Sequence, residues 1–135
     1  MLQRSIVNTA EAPQPIGAYS QAVRVKAGEL VFLAGQVGID SEGKLAGDGV
    51  AAQTRQVFAN LGRVLEAVGA SFSNVVELTT YLVGRESVQP FIQARTEIFP
   101  GIFPDRDFPP NTLLIIDGLV RPEFLVEIKA VAALE

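Results

Sequence analysis

Glu127 is the carboxylate in this chain whose surroundings most invite a chemical reading. It stands in the run Val126-Glu127-Ile128-Lys129-Ala130-Val131-Ala132, and burying an unpaired carboxylate in so apolar a stretch is costly. It therefore needs either a partner or a task, and the task open to it is to orient or deprotonate water. The plainer alternative is that strand alternation puts Glu127 and Lys129 together on a wet or interfacial face. Tyr19, at the start of an extended segment, reads as an amphipathic packing residue with its hydroxyl at a rim. Gln93, within Phe91-Ile92-Gln93-Ala94-Arg95, carries no signal alone. Arg95, Arg106 and Arg121 are expected to be solvated surface charges.

The chain has no cysteine and no histidine. That removes disulfides, thiolate nucleophiles, Cys/His zinc sites and the usual general base near neutral pH. Chemistry is left to carboxylate, hydroxyl, amide, backbone and water, with no metal and no cofactor implied. Lys+Arg of 11 against Asp+Glu of 15 gives a net charge of -4, which opposes the sequence-independent attraction behind most nucleic-acid binding. The glycines at 38, 43, 47 and 49, mixed with Asp40, Ser41, Glu42 and Asp48, imitate a phosphate or calcium loop. Lys44 is followed by Leu45, however, and the alternating acidic ligands and terminal Glu of an EF-hand are missing, so a connecting loop is expected.

At 135 residues and 48% hydrophobic composition, the chain fits one domain over residues 1–135 and is too apolar for disorder. No apolar run approaches the roughly 20 residues needed to span a membrane. The start, Met1-Leu2-Gln3-Arg4-Ser5, lacks the basic and long apolar regions of a secretory signal, so a cytoplasmic protein is expected.

The elements follow from periodicity. An extended segment from Tyr19 to Val25, a turn at Lys26-Ala27-Gly28-Glu29 and an apolar strand from Leu30 to Ala34 form the simplest hairpin. Asp48 can cap a helix with apolar positions at Val50, Val57, Leu61, Val64 and Val68, while Gln53, Arg55, Gln56, Asn60 and Arg63 fall mostly on its other face. Gly69 stops that helix. Val75 to Val83 is a strand. A second helix runs from about Ser87 to Phe99, with Val88, Phe91, Ile92, Arg95 and Phe99 near one side, and is ended by Pro100. The proline-rich stretch 100–110 is a restricted loop, and Thr112 to Ile116 with Phe124 to Ala132 read as a final hairpin. The result is an α+β layer fold with two helices on one face of a sheet. Leu30 to Leu33, Leu113 to Ile116 and Phe124 to Val131 are apolar on both faces, so the uncovered face should be buried against other copies of the chain.

The segments Ile16-Gly17-Ala18-Tyr19-Ser20-Gln21-Ala22-Val23, Leu33-Ala34-Gly35-Gln36-Val37, Val50-Ala51-Ala52-Gln53-Thr54-Arg55-Gln56, Gly69-Ala70-Ser71-Phe72-Ser73-Asn74-Val75-Val76 and Val126 to Ala132 together resemble the reactive-intermediate deaminase (RidA) family. The resemblance covers nearly the whole chain. It implies a chorismate-mutase-like fold forming a homotrimer, with a cleft for a small-molecule ligand at each subunit interface. It implies that Glu127 positions the attacking water, that Tyr19 lines the cleft, and that Gln93 takes the place of a cleft asparagine. A backbone carbonyl near Leu113 would assist the water.

Two departures bear on activity. Ala34 stands where the family often has a serine. Where members that deaminate imino acids carry Pro-x-Arg-Ser/Thr, this chain reads Pro109-Pro110-Asn111-Thr112. Asn111 offers one neutral amide in place of the charged planar fork that grips a carboxylate, and Arg95, Arg106 or Arg121 would have to reach the cleft to replace it. The stretch between Asn111 and Glu127 is also one residue longer than the family pattern. The expected activity is cofactor-independent hydrolytic deamination of an enamine or imine, weak or altered in substrate range. The alternative is a trimer that binds a metabolite or a protein without catalysis. The ribonuclease or translation-inhibitor activity attached to some family members is opposed by the acidic balance and by the lack of histidine.

Overall fold

The helical spacing from Val50 onward becomes α1 (Val50–Ala67) in the computed structural model, which describes residues 2–135. Met1, the first residue of the start read above for a signal, lies outside the described residues. The remaining elements are β1 (Gln3–Val7), β2 (Ala22–Lys26), β3 (Glu29–Val37), β4 (Val75–Val83), α2 (Val88–Ile102), β5 (Asn111–Ile116) and β6 (Val126–Leu134).

Gly69 stops α1 as expected. At φ 74 it lets the Ala70 and Gly69 N–H groups turn back to the carbonyls of Leu65 and Glu66, which closes the helix end without a side-chain cap. The N-terminal expectation fails: Gly49, not Asp48, is the capping residue, and no side chain caps the helix.

Four strands form the main sheet in the order β3-β6-β4-β5. β6 runs antiparallel to both β3 and β4, and β5 runs parallel to β4. The two expected hairpins are therefore corrected. β2 pairs with β1, Ser5 opposite Arg24, in a separate two-stranded ribbon, and β5 and β6 are separated by β4. The reason is geometric: a parallel pair needs a long crossover, and α2 supplies it between β4 and β5, leaving β6 to enter between β3 and β4.

Both helices lie on one face. α1 packs on α2, β3 and β6, and Val57, Leu61 and Leu65 meet Leu78, Leu82, Val126, Ile128 and Ala132 in the core. At one end, Phe58, Phe72, Phe99, Phe103 and Phe108 form a chain of mostly edge-on ring contacts 4.9 to 6.3 Å apart, a favourable geometry for aromatic quadrupoles. The opposite sheet face is uncovered and carries exposed Leu30, Phe32 and Leu114. The helix α2 continues past Pro100 to Ile102, with the Phe103 N–H closing onto the Phe99 carbonyl at 2.7 Å. In the last turn, a proline removes only one bond from a helix already ending.

Gln53 departs from the polar face assigned to it. It is fully buried, donates to the carbonyls of Gly47 and Glu123, and accepts from the Leu125 N–H. The side chain thus ties the loop before α1 to the entry of β6. Gln53→Ala would leave three backbone groups unpaired, and a loss of about 3 kcal/mol is expected in urea unfolding at fixed protein concentration.

Candidate functional site

Glu127 projects from the uncovered face. Register places it between Val37 on β3 and Tyr81 on β4, while its neighbours Val126 and Ile128 are buried on the helix side. β3 gives way to make room: its register shifts between Leu33 and Gln36, and a Cβ at position 35 would overlap the Glu127 carboxylate. Gly35 is therefore required by the acid rather than by a turn. Glu127 is half-buried, and its carboxylate has no hydrogen bond or ion pair among the described residues. Lys129, on the same face, is exposed. The result is an acid set into an apolar sheet face with its acceptor sites open.

Asn111 and Leu113 belong to the other side. Both are half-buried on β5, opposite Leu78 and Thr80, and the Thr80 hydroxyl donates to Asn111 Oδ1 at 2.9 Å. Thr80 is 2% exposed, so this bond directs the Asn111 amide into the layer beneath the helices. Tyr19 is half-buried, and its hydroxyl accepts from the Ile16 N–H at 3.3 Å. Gln93 is exposed on α2. Within one chain, Glu127 and Asn111 therefore occupy opposite faces of the sheet.

The arginines divide. Arg106 and Arg121 are exposed, as expected, and Arg121 lies 5.6 Å from the Phe124 ring centroid. Arg95 does not follow the expectation of a solvated charge: it is 7% exposed. Its guanidinium carbon lies 5.4 Å from the Phe91 ring centroid and 5.7 Å from that of Phe99. Burial pushes its pKa below the ordinary arginine value, and Tyr19 works in the opposite direction. The sequence did carry a signal for this, since Phe91, Arg95 and Phe99 are spaced four apart and so share one helix face.

Beside this arginine is a cavity of about 520 Å3, walled by Phe99, Phe103, Phe108, Pro100 and Pro104, with Gly17 and Ala18 at one side and Arg106 at another. Arg106 has φ 62, an uncommon backbone state for a residue with a Cβ. Gly17 bridges the two features: a Cβ there would stand 3.2 Å from Arg95 Nη2. Among the described residues, no group of three or more His, Cys, Asp or Glu could hold a metal ion. No helix among them is long and apolar enough to cross a membrane.

Comparison with known proteins gives a consistent result. The model of the family described as Endoribonuclease L-PSP matches residues 9–134. The 2-iminobutanoate/2-iminopropanoate deaminase of Homo sapiens is 38% identical over 106 residues, which are 78% of this chain and 76% of that protein. A RutC family protein of Pyrococcus horikoshii is 34% identical over 130 residues, covering 96% of this chain and 97% of the relative. Among solved structures, a conserved Rid family protein of unknown function from Yersinia pestis superposes with a TM-score of 0.86 at 32% identity, covering 97% of this chain and 98% of that one. RidA from an Antarctic Psychrobacter covers 96% of this chain and 99% of its own, at 30% identity and a TM-score of 0.68.

Proposed function

The chain belongs to the Endoribonuclease L-PSP family, which includes imine deaminases and Rid proteins, and on that premise we propose that it hydrolyses reactive enamines or imines without a cofactor. The observation that carries this reading is the partnerless Glu127 carboxylate, given room by Gly35 on an apolar sheet face. We further propose a homotrimer in which the uncovered faces meet. The ligand cleft at each subunit boundary is then assembled from Tyr19, Gln93, Asn111, Leu113 and Glu127. A boundary between copies is what joins residues that one chain holds on opposite faces.

The chemistry asks little of the protein because the substrate is itself activated. Water held by Glu127 adds to the carbon of C=N, and its proton passes through the carboxylate to nitrogen. The resulting carbinolamine collapses to C=O as ammonia leaves. One water is consumed and no redox partner is needed. Positioning of the water and polarisation of the imine are sufficient sources of acceleration. The Leu113 carbonyl would accept the second hydrogen of the water, and Tyr19 would contact the ligand. Tyr19→Phe is expected to weaken ligand binding while leaving most of the maximal rate.

Asn111 sets the range. Its amide is tied to Thr80 and it carries no charge, so position 111 itself gives a small carboxylate substrate no charge-assisted contact, a difference of about 1.5–3 kcal/mol. Turnover of 2-iminopropanoate should be roughly ten- to a hundredfold below that of arginine-bearing members. Ammonia release from a panel of freshly generated imines tests the proposal. Release from none of them would favour the second reading, a trimer that binds a metabolite without acting on it, which the neutral Asn111 also fits.

A further inference from the structure

Arg95 has the features of a cation waiting for an anion. It is 7% exposed, held against the rings of Phe91 and Phe99, and has no hydrogen bond or carboxylate partner among the described residues. A buried charge ordinarily acquires both. Its nitrogens are nevertheless not sealed off, because the only fully buried side-chain polar atom without a partner among those residues is Arg4 Nε. The guanidinium thus lies over two aromatic rings while its unpaired N–H groups keep a window to the outside. That window is bordered by Gly17, which has no Cβ to close it, and by Tyr19. Phe99 and Gly17 also wall the apolar cavity of about 520 Å3.

We propose that Arg95, and not position 111, holds the carboxylate of the ligand, and that the ligand carries a large apolar substituent that fills the cavity between Phe99, Phe103 and Phe108. The inference rests on the deaminase reading through Tyr19, the cleft residue beside Arg95, and names the substrate class as 2-imino acids with aryl or long alkyl side chains. A guanidinium held against two rings loses little freedom on binding and can offer its fork to both carboxylate oxygens. The neighbouring aromatic walls then reward apolar bulk, at about 0.8 kcal/mol for each buried CH2. A two-carbon side chain would leave most of the cavity unfilled.

Calorimetric titration of the assembled protein tests this with three stable probes: phenylpyruvate, pyruvate and uncharged phenylacetone. Phenylpyruvate should bind at least tenfold more tightly than either of the others. Arg95→Met should remove at least tenfold of that affinity, and Arg95→Lys should restore part of it. If Arg95→Met fails to fold, Gly17→Ala serves instead: its methyl would crowd Arg95 Nη2 and should weaken phenylpyruvate several-fold at unchanged melting temperature. Unchanged binding in the Arg95 variants, or in Gly17→Ala and Arg95→Lys together, would overturn the proposal. So would equal affinity for phenylacetone, or a loss in Arg106→Ala as large as in Arg95→Met. Absence of ammonia release with Arg95-dependent binding intact would remove the deaminase reading and leave the anion site standing. Ammonia release with a KM insensitive to Arg95 would do the reverse.

Discussion

Glu127→Gln is expected to lower ammonia release from reactive imines by a hundredfold or more while leaving assembly and fold unchanged. Glutamine has nearly the same shape, so it fits the space that Gly35 clears on β3. Glu127 has no hydrogen-bond partner among the described residues, so little is lost structurally. What disappears, in the proposed mechanism, is the acceptor that takes a proton from water as it attacks, a role that contributes typically 10²–10⁴-fold. The loss should fall on kcat, with KM nearly constant. A variant retaining full activity with the same sedimentation behaviour would remove Glu127 from the mechanism. Gly35→Ala supplies an independent check, because its methyl would displace the carboxylate without altering its charge. Activity should fall there as well.

The second large effect concerns the sheet face opposite the helices. Phe32 is 74% exposed and Leu30 53%, and both lie on β3 opposite Val131 and Ala133. Phe32→Asp is expected to convert the proposed trimer to monomers at micromolar concentration. Each copy loses about 1.5–3 kcal/mol of apolar burial and adds several kcal/mol for a desolvated carboxylate, and the symmetry repeats the penalty in every subunit. Sedimentation velocity reads the result directly. Activity should vanish with assembly, since the proposed cleft requires two copies. A variant that sediments as the parent protein does would count against assembly through this face.

The sequence made the helices and the central strands legible because their signals are local. Periodicity located α1 and Gly69 marked its end, and β4 was read with the bounds it has in the fold. Pairing was not local. Thr112 to Ile116 and Phe124 to Ala132 look like a hairpin by proximity, yet β4 lies between them because α2 carries the chain across to a parallel partner. β1 is weakly signalled, although Arg4, Ile6 and their exposed neighbours alternate over five residues. A strand that forms only a two-stranded ribbon leaves a weak trace. Gln53 reads as a surface amide because its partners, Gly47, Glu123 and Leu125, are loop backbone groups, and backbone partners have no sequence signature. At the site, Glu127 stood out by contrast with its neighbours. The spacing of Phe91, Arg95 and Phe99 marks a shared helix face, while the approach of Gly17 to Arg95 is a long-range contact with no local trace.

β6 is the only strand hydrogen-bonded to both β3 and β4 in the main sheet, and it is the last of the described strands to leave the ribosome. Until it emerges, β3 has no partner in that sheet, and β4 can pair only with β5. Residues some hundred positions apart, such as Leu30 and Ala133, must find one another before the layer closes, and contacts of such separation are slow to form. The nascent chain therefore carries a lone apolar β3 and the β4-β5 pair, with an open seam between them. Translation that halts before Val126 would yield a product with exposed strand edges, a substrate for chaperones or proteases. Emergence of β6 is in this sense a check on the synthesis of the sheet.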